Sequence, residues 1–250
     1  MDKNYPFKPY YLKIKMNKKT IVLFFLVLTS GIYYYALTAE EDRELITANV
    51  IKVIDGDTLT IENDQKIRLL GINTPESKML KYEEAKEYLK KLENKTIMVE
   101  KRGIDKYGRI LAHTFTKNNH INEQILKNGL GHLYYYEKDA YYNNLKKAEE
   151  YAREKNIGIW KPSSQKNCIS LIELDPIEKT KRCSNEEKLT LLNSCNKDIN
   201  ITIKDDATHI YRETIKANQI FEKNFSCIWN DAGDTLYVHD SEGLLIFYRY

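Results

Sequence analysis

The chain has 250 residues, 42% of them hydrophobic and 30% charged, with a net charge of +3. That length holds one large domain or two small ones, and the apolar share is adequate for a core. So small a surplus excludes bulk charge as a sign of nucleic-acid binding, but it is unevenly spread. Residues 1–47 carry 7 basic against 5 acidic side chains, residues 48–162 carry 21 against 17, and residues 163–250 carry 11 against 14. A basic middle beside an acidic end points to two domains with different partners.

In chain order, residues 1–19 form a basic segment with six lysines, and residues 20–39 carry no charge at all. About 20 apolar residues at ~1.5 Å rise cover a hydrocarbon core of roughly 30 Å. Lysines before the span and the acidic "EEDRE" after it predict a transmembrane signal anchor. The N-terminal segment is then cytoplasmic, the protein sits in the cell membrane through this helix, and the bulk of the chain lies outside. If the span is instead a cleaved signal peptide ending at Ala39, the protein is secreted.

From residue 46 to 162 the pattern predicts a mixed domain. "ITANVIKVIDGDTLTIENDQKIRLLGI" reads as three short strands broken by "DGD" and "NDQ". "KYEEAKEYLKKLEN" has the apolar spacing of an amphipathic helix ended at Asn94. "TIMVEK" and "RILAHTFT" are two more strands joined by "GIDKYG". "INEQILKNGL" is a helix closed by Gly129, and "YYNNLKKAEEYAREKNIGIW" a third closed near Gly158. Five strands and three helices in this order suit a small OB-fold β-barrel.

After "KPSSQKN" the texture changes. From residue 166 to 250, "CISLIELDP", "KLTLLNSC", "INITIKDD", "HIYRETI", "DTLYVHD" and "LLIFYRY" read as short alternating strands of an antiparallel immunoglobulin-like β-sandwich. All four cysteines (Cys168, Cys183, Cys195, Cys227) lie in this part without a CxxC pair. That spacing excludes a structural zinc site and predicts two disulfides, with three pairings open, in an exported domain. The five histidines show no HNH or HxxxH spacing and carry no site.

The middle domain holds the chemistry. "VIDGDTL" supplies Asp57, "RLLGINTPE" supplies Arg68, Asn73, Thr74 and Glu76, and "DKYGR" supplies Tyr107 and Arg109. Taken singly each has an ordinary turn or surface explanation. Taken together they give guanidinium forks for phosphate oxygens, hard oxygen ligands for a cation, and a carboxylate to act on water. Such a set serves attack on a phosphodiester, where charge builds on the nonbridging oxygens.

These motifs, with "INEQILKNGL" and the closing "NIGIW", resemble in order and spacing the staphylococcal nuclease (thermonuclease) family. The resemblance implies an OB barrel with three helices and a Ca²⁺-dependent endonuclease acting on DNA and RNA. It implies that Asp57, Asn73 and the Thr74 carbonyl hold the Ca²⁺. Arg68 and Arg109 would hold the phosphate, and Glu76 would activate the attacking water. Tyr107 and Tyr135, the latter from the run Tyr134 to Tyr136, would line the nucleotide pocket. The best-known members carry an aspartate at the position of Asn73, so one negative charge is gone here. The loop from Ser77 to Tyr82 is shorter than in the family's secreted type member. The end of the chain, "IWNDAGDTLYVHDSEGLLIFYRY", resembles a lamin-tail domain, which implies a cell-surface or nucleic-acid partner. A noncatalytic nucleic-acid-binding surface module is the alternative function that Asn73 leaves open.

Overall fold

The computed structural model describes residues 17, 27, 29, 30, 44–135, 137–176, 187–230 and 233–250. No helix among them is long and apolar enough to cross a membrane. The expected span of residues 20–39 lies outside the described residues, apart from the helical Val27, Thr29 and Ser30. Residues 44–250 form one compact unit.

Within it, β1 (Glu44–Val53), β2 (Thr58–Ile61) and β3 (Lys66–Leu69) make an antiparallel meander. The short β4 (Ile72–Asn73) and helix α1 (Tyr82–Lys90) follow. Next come β5 (Thr96–Ile104), β6 (Ile110–Thr116), β7 (Asn119–His120), α2 (Ile121–Lys127), β8 (His132–Leu133) and α3 (Tyr142–Glu154). The sheet runs β3-β2-β1-β5-β6-β7, and a parallel pairing of β3 with β6 closes it into a five-stranded barrel. Closure removes the free edges that a small sheet would otherwise expose.

Strand alternation fills the barrel. Ala48 and Val50 of β1 point inward; a register shift between Val50 and Lys52 then lets Val53 also face the core. Leu59, Ile67, Leu69, Ile97, Val99 and Ala112 complete the interior, sealed by Ala85 and Leu89 of α1 and by Ile125 of α2. The helix over residues 82–90 stops four residues before the expected Asn94, which instead takes a left-handed φ of 59° in the turn that follows.

The C-terminal part is a two-sheet sandwich. One sheet runs β13-β10-β9 and the other β12-β11-β14-β15. The strands are β9 (Ile169–Asp175), β10 (Glu187–Asn193), β11 (Ile199–Lys204), β12 (Ile210–Ile215), β13 (Ile220–Phe225), β14 (Thr235–His239) and β15 (Leu244–Arg249). Six of the seven were legible as alternating runs; β13, "IFEKNF", was not. It is an edge strand that buries only Phe225 fully, so its sequence lacks a clear apolar period. Cys168 and Cys195 are bonded, Cys227 is also in a disulfide, and Cys183 lies outside the described residues.

Barrel and sandwich share a third core. Ala152, Ile159 and Trp160 from the barrel pack against Tyr237 and Leu244 of the sandwich. The Glu149 carboxylate, 1% exposed, pairs with Arg249 at 2.8 Å and accepts the Leu133 amide at 2.8 Å. A buried carboxylate needs such partners, so this pair fixes the two folds together.

Candidate active site

The turn "DGD" sets the first ligand. Asp55 Oδ1 accepts the Asp57 amide at 3.1 Å, an Asx-type turn that leads into β2. A Cβ on Gly56 would lie 2.7 Å from both Ala85 Cβ and the Thr74 hydroxyl, so glycine lets the turn press against α1 and the chain after β4. Asp57 is buried. Its Oδ2 accepts the backbone amide and the hydroxyl of Thr74, each at 2.9 Å. Its Oδ1 accepts the Thr58 hydroxyl at 3.1 Å and pairs with Arg68 Nε at 3.2 Å.

Arg68 staples the bend between β3 and β4. Its Nη1 donates to the Leu69 and Ile72 carbonyls at 2.7 and 2.9 Å, and its Nη2 to Asn73 Oδ1 at 3.1 Å. The bend turns on Gly71, at φ +79°, where a Cβ would meet the Tyr135 ring at 2.3 Å. Asn122, fully buried, holds the same bend from below. Its amide donates to the carbonyls of Leu70 and Ala112, while its Oδ1 accepts the Thr114 amide. In the sequence Asn122 is one of three consecutive polar residues, Asn122, Glu123 and Gln124, at a helix start, and nothing there marks its support of the site.

Arg109 belongs to the turn before β6. Asp105 organises it, accepting the Tyr107 and Arg109 amides at 2.9 Å each and Arg109 Nε at 2.7 Å. Because Arg68 faces Leu111 in the β3–β6 pair, the two-residue period puts Arg109 on the same side of that pair as Arg68. Tyr107 is 70% exposed, with the Arg109 guanidinium 5.5 Å from its ring centre. Glu76 is exposed just past the buried Pro75. Tyr135 packs beside Gly71, and its hydroxyl donates to Asp139 at 2.8 Å; burial first, and then Asp139, pushes its pKa up.

The structure therefore gathers Asp57, Arg68, Asn73 and Thr74 into one hydrogen-bonded network. It leaves Arg109 and Tyr107 on the neighbouring strand's approach and Glu76 at the exit of the same segment. Among the described residues no hydrogen bond joins the Tyr135 side chain to this network. Its ring instead serves the bend.

Asn73 has a second set of partners that sequence reasoning missed. Its Nδ2 donates to the carbonyls of Asp206 at 3.1 Å and Ala207 at 2.8 Å, both in the sandwich loop after β11. His132, paired with Asn73 across β4 and β8, donates from Nε2 to the Asp206 carbonyl at 2.9 Å. Lys204, 3% exposed, donates to the carbonyls of Asp205 and Ala207. Burial pulls the Lys204 ammonium down, against Asp205, Asp206 and Glu76, which pull it up.

His113, His120 and His209 are held in side-chain hydrogen bonds away from this network. His113 is hydrogen-bonded to Asp139 at 2.6 Å and to His120 at 3.1 Å, and His209 to Asp205 at 2.6 Å. Among the described residues no three His, Cys, Asp or Glu side chains converge to hold a metal. The donors at the site are instead one carboxylate, one amide and one carbonyl, all oxygen. Burial, and then the charge of Asp57, pushes Asp55 up to about 6. Two carboxylates at that corner and oxygen-only donors fit a hard cation completed by water. The Asn73 oxygen is shared with Arg68.

The closed OB barrel carries at one strand end the guanidinium, oxygen donors and carboxylate that suit a phosphodiester. Its family match and relatives make the class a hydrolytic nuclease, a phosphodiesterase. The family model described as "Staphylococcal nuclease homologue" matches residues 66–162. An uncharacterized endonuclease of Haemophilus influenzae is 32% identical over 141 residues, covering 54% of this chain and 78% of that protein. The thermonuclease of Staphylococcus hyicus is 32% identical over 127 residues, covering 46% and 75%. The SPbeta prophage-derived endonuclease YokF of Bacillus subtilis is 33% identical over 133 residues, covering 47% and 45%. The chain belongs to the staphylococcal nuclease family. The alternative of a noncatalytic module gives way to that membership.

Proposed function

We propose that the chain is an exported, membrane-tethered, Ca²⁺-dependent endonuclease that hydrolyses DNA and RNA. The observation that carries this reading is the network of Asp57, Arg68, Asn73 and Thr74, with Glu76 exposed beside it. Asp57, Asn73 and the Thr74 carbonyl would hold the cation, which when bound supplies positive charge to the phosphate oxygens. Arg68 keeps an N–H on Nη2 for a nonbridging oxygen, because its other donors are engaged by the bend and by Asp57. Arg109, held by Asp105, brings a second fork from the same side of the barrel. Glu76 accepts a proton from water as the water oxygen bonds to phosphorus. The P–O5′ bond then breaks, and the leaving oxygen takes a proton from solvent, which leaves a 3′-phosphate. Tyr107, exposed beside Arg109, offers a face to the nucleotide.

The Cys168–Cys195 bond supports export, since disulfides persist outside the reducing cytosol. Tethering rests on the uncharged run of residues 20–39. The seven strands in two sheets and the closing "DTLYVHDSEGLLIFYRY" support a lamin-tail-like module with a cell-surface partner.

The test is cleavage of single- and double-stranded DNA and of RNA in calcium, in magnesium and in chelator. Glu76→Ala should lower kcat by about 10²–10⁴-fold, the range of general acid–base catalysis. Cleavage that survives in chelator would remove the cation, and full turnover in the variant would remove Glu76 from the water.

A further inference from the structure

A cavity of about 920 Å³ opens between barrel and sandwich, lined in part by the segment that carries Glu76. One wall is the segment that continues from the active site, with Pro75, Lys78 and Met79. The floor is the outer face of the four-stranded sheet, with Thr202, Arg212 and His239. The register explains the floor. Ile199, Ile201 and Ile203 turn inward to the sandwich core, so the alternate residues of β11 and those facing them on β12 look outward. Asn200 Oδ1 accepts the Thr214 hydroxyl at 2.8 Å, which presets part of that floor.

Three cations, Lys78, Lys204 and Arg212, and two carboxylates, Glu213 and Asp240, line the cavity. Its two carboxylates are committed within the fold. Glu213 pairs with Lys223, and Asp240 accepts the Ser163 hydroxyl at 2.5 Å and the Gly243 amide at 2.9 Å. Lys78 and Arg212, both exposed, have no ion-pair partner among the described residues, whereas Lys204 is buried among Asp205, Asp206 and Glu76. One polar atom is left over as well. His239 is 8% exposed and its Nδ1 has no hydrogen-bond partner among the described residues. Buried polar atoms are seldom left so unless a ligand or water meets them.

We propose that this cavity is a subsite for single-stranded nucleic acid, which holds the nucleotides that flank the scissile phosphate. The proposal rests on the nuclease reading above and extends it to the sandwich. Its volume is at the upper end of ligand pockets, which run to roughly 1,000 Å³. It has room for an extended strand. Lys78 and Arg212 meet phosphates, Met79 offers an apolar surface to a base, and His239 Nδ1 meets a base edge. A cationic groove with apolar rests is how single strands are held without sequence preference.

The test uses the full chain and the double variant Lys78→Ala/Arg212→Ala, both on exposed surface. A fluorescent single-stranded DNA twelve nucleotides long is titrated in chelator, which suppresses turnover, at several salt concentrations. Loss of two phosphate contacts should lower the slope of log K against log salt by about 1.4. In parallel, cleavage of the same twelve-nucleotide strand is compared with that of a dinucleotide in calcium. The variant's KM should rise by about tenfold for the long strand and hold for the dinucleotide. Equal slopes, or the same loss on both substrate lengths, would overturn the subsite. If wild-type protein cleaves neither substrate, the nuclease reading of this site falls by itself. The binding titration then decides the subsite alone. Thr202→Trp, which fills the floor without touching charge, should weaken binding of the long strand at every salt concentration, and unchanged binding would count against the proposal.

Discussion

Arg68 donates to the Leu69 and Ile72 carbonyls and to Asn73 before any phosphate arrives, so its planar fork is both a structural staple and a charge. Lysine would keep the charge and lose the fork. Arg68→Lys should leave at least one buried carbonyl unmet, at a cost of about 1–3 kcal/mol, and lower kcat by about 10²-fold or more. Thermal melting and single-turnover cleavage check the two effects together; a variant that cleaves normally would show that the staple alone matters. The identity of this arginine was legible in the sequence because "IRLLGINTPE" places it at fixed spacing from Thr74 and Glu76. Its four internal partners were not, because they depend on a bend at Gly71 that spacing does not show. A second residue-scale effect follows from His120. Burial, and then the charge of His113, pulls it down to about 3, from an unfolded value near 6.5. The folded protein therefore keeps His120 neutral while the unfolded chain takes the proton. Its contribution to stability is present above pH 6.5 and is lost as pH falls toward 3. His120→Gln should flatten the fall of urea stability between about pH 6.5 and pH 4, and an unchanged slope would remove His120 from the acid response.

The element in question at the next scale is β4, two residues long, which carries Asn73 at the meeting point of barrel and sandwich. Sequence alone suggests that an aspartate at this position would raise cation affinity by adding charge. The structure adds a second demand. The Asn73 amide donates to two carbonyls of the loop after β11, residues 133 and 134 positions away. Aspartate has no N–H to donate and would set a negative charge against two carbonyl oxygens. Asn73→Asp should then cost about 1–3 kcal/mol for each group left unmet. It should also make the loop of Lys204 to Ala207 more open to proteases. Urea unfolding and limited proteolysis test this; a variant as stable as wild type would mean that the clamp contributes nothing. What the sequence showed at this scale follows one division. Strands and helices with a clear period, such as "TLTI" and "YEEAKEYLK", were legible. The edge strand β13 and the contact of β4 with a distant loop were not. β13 fully buries only Phe225 and so carries no apolar period, and a contact between residues so far apart in the chain leaves no local trace.

At the scale of the whole molecule, barrel and sandwich are joined by the Trp160–Tyr237 core, by the Glu149–Arg249 pair and by the Asn73 clamp. Separate cores would allow separate unfolding, but these links place buried groups of each part in contact with the other. Pulling the parts open would part the Glu149 carboxylate from its arginine and expose the apolar core shared by Trp160 and Tyr237, at a cost that grows with the apolar area exposed. Partial opening is therefore costly, and residues 44–250 should unfold as one cooperative unit. The chain has two tryptophans, Trp160 in the shared core and Trp229 in the sandwich core, which makes the test direct. Trp160→Phe and Trp229→Phe each leave one reporter, and nuclease activity reports the barrel. All three should give the same denaturant midpoint. The disulfide Cys168–Cys195 spans a sequence separation of 27, so Cys168→Ala/Cys195→Ala should remove about 3 kcal/mol. In a cooperative molecule that loss, though made wholly inside the sandwich, should lower the midpoint of barrel activity by as much as it lowers the Trp229 signal. A barrel midpoint that stays fixed while the sandwich softens would show that the shared core is too weak to couple them, and would place the catalytic stability in the barrel alone.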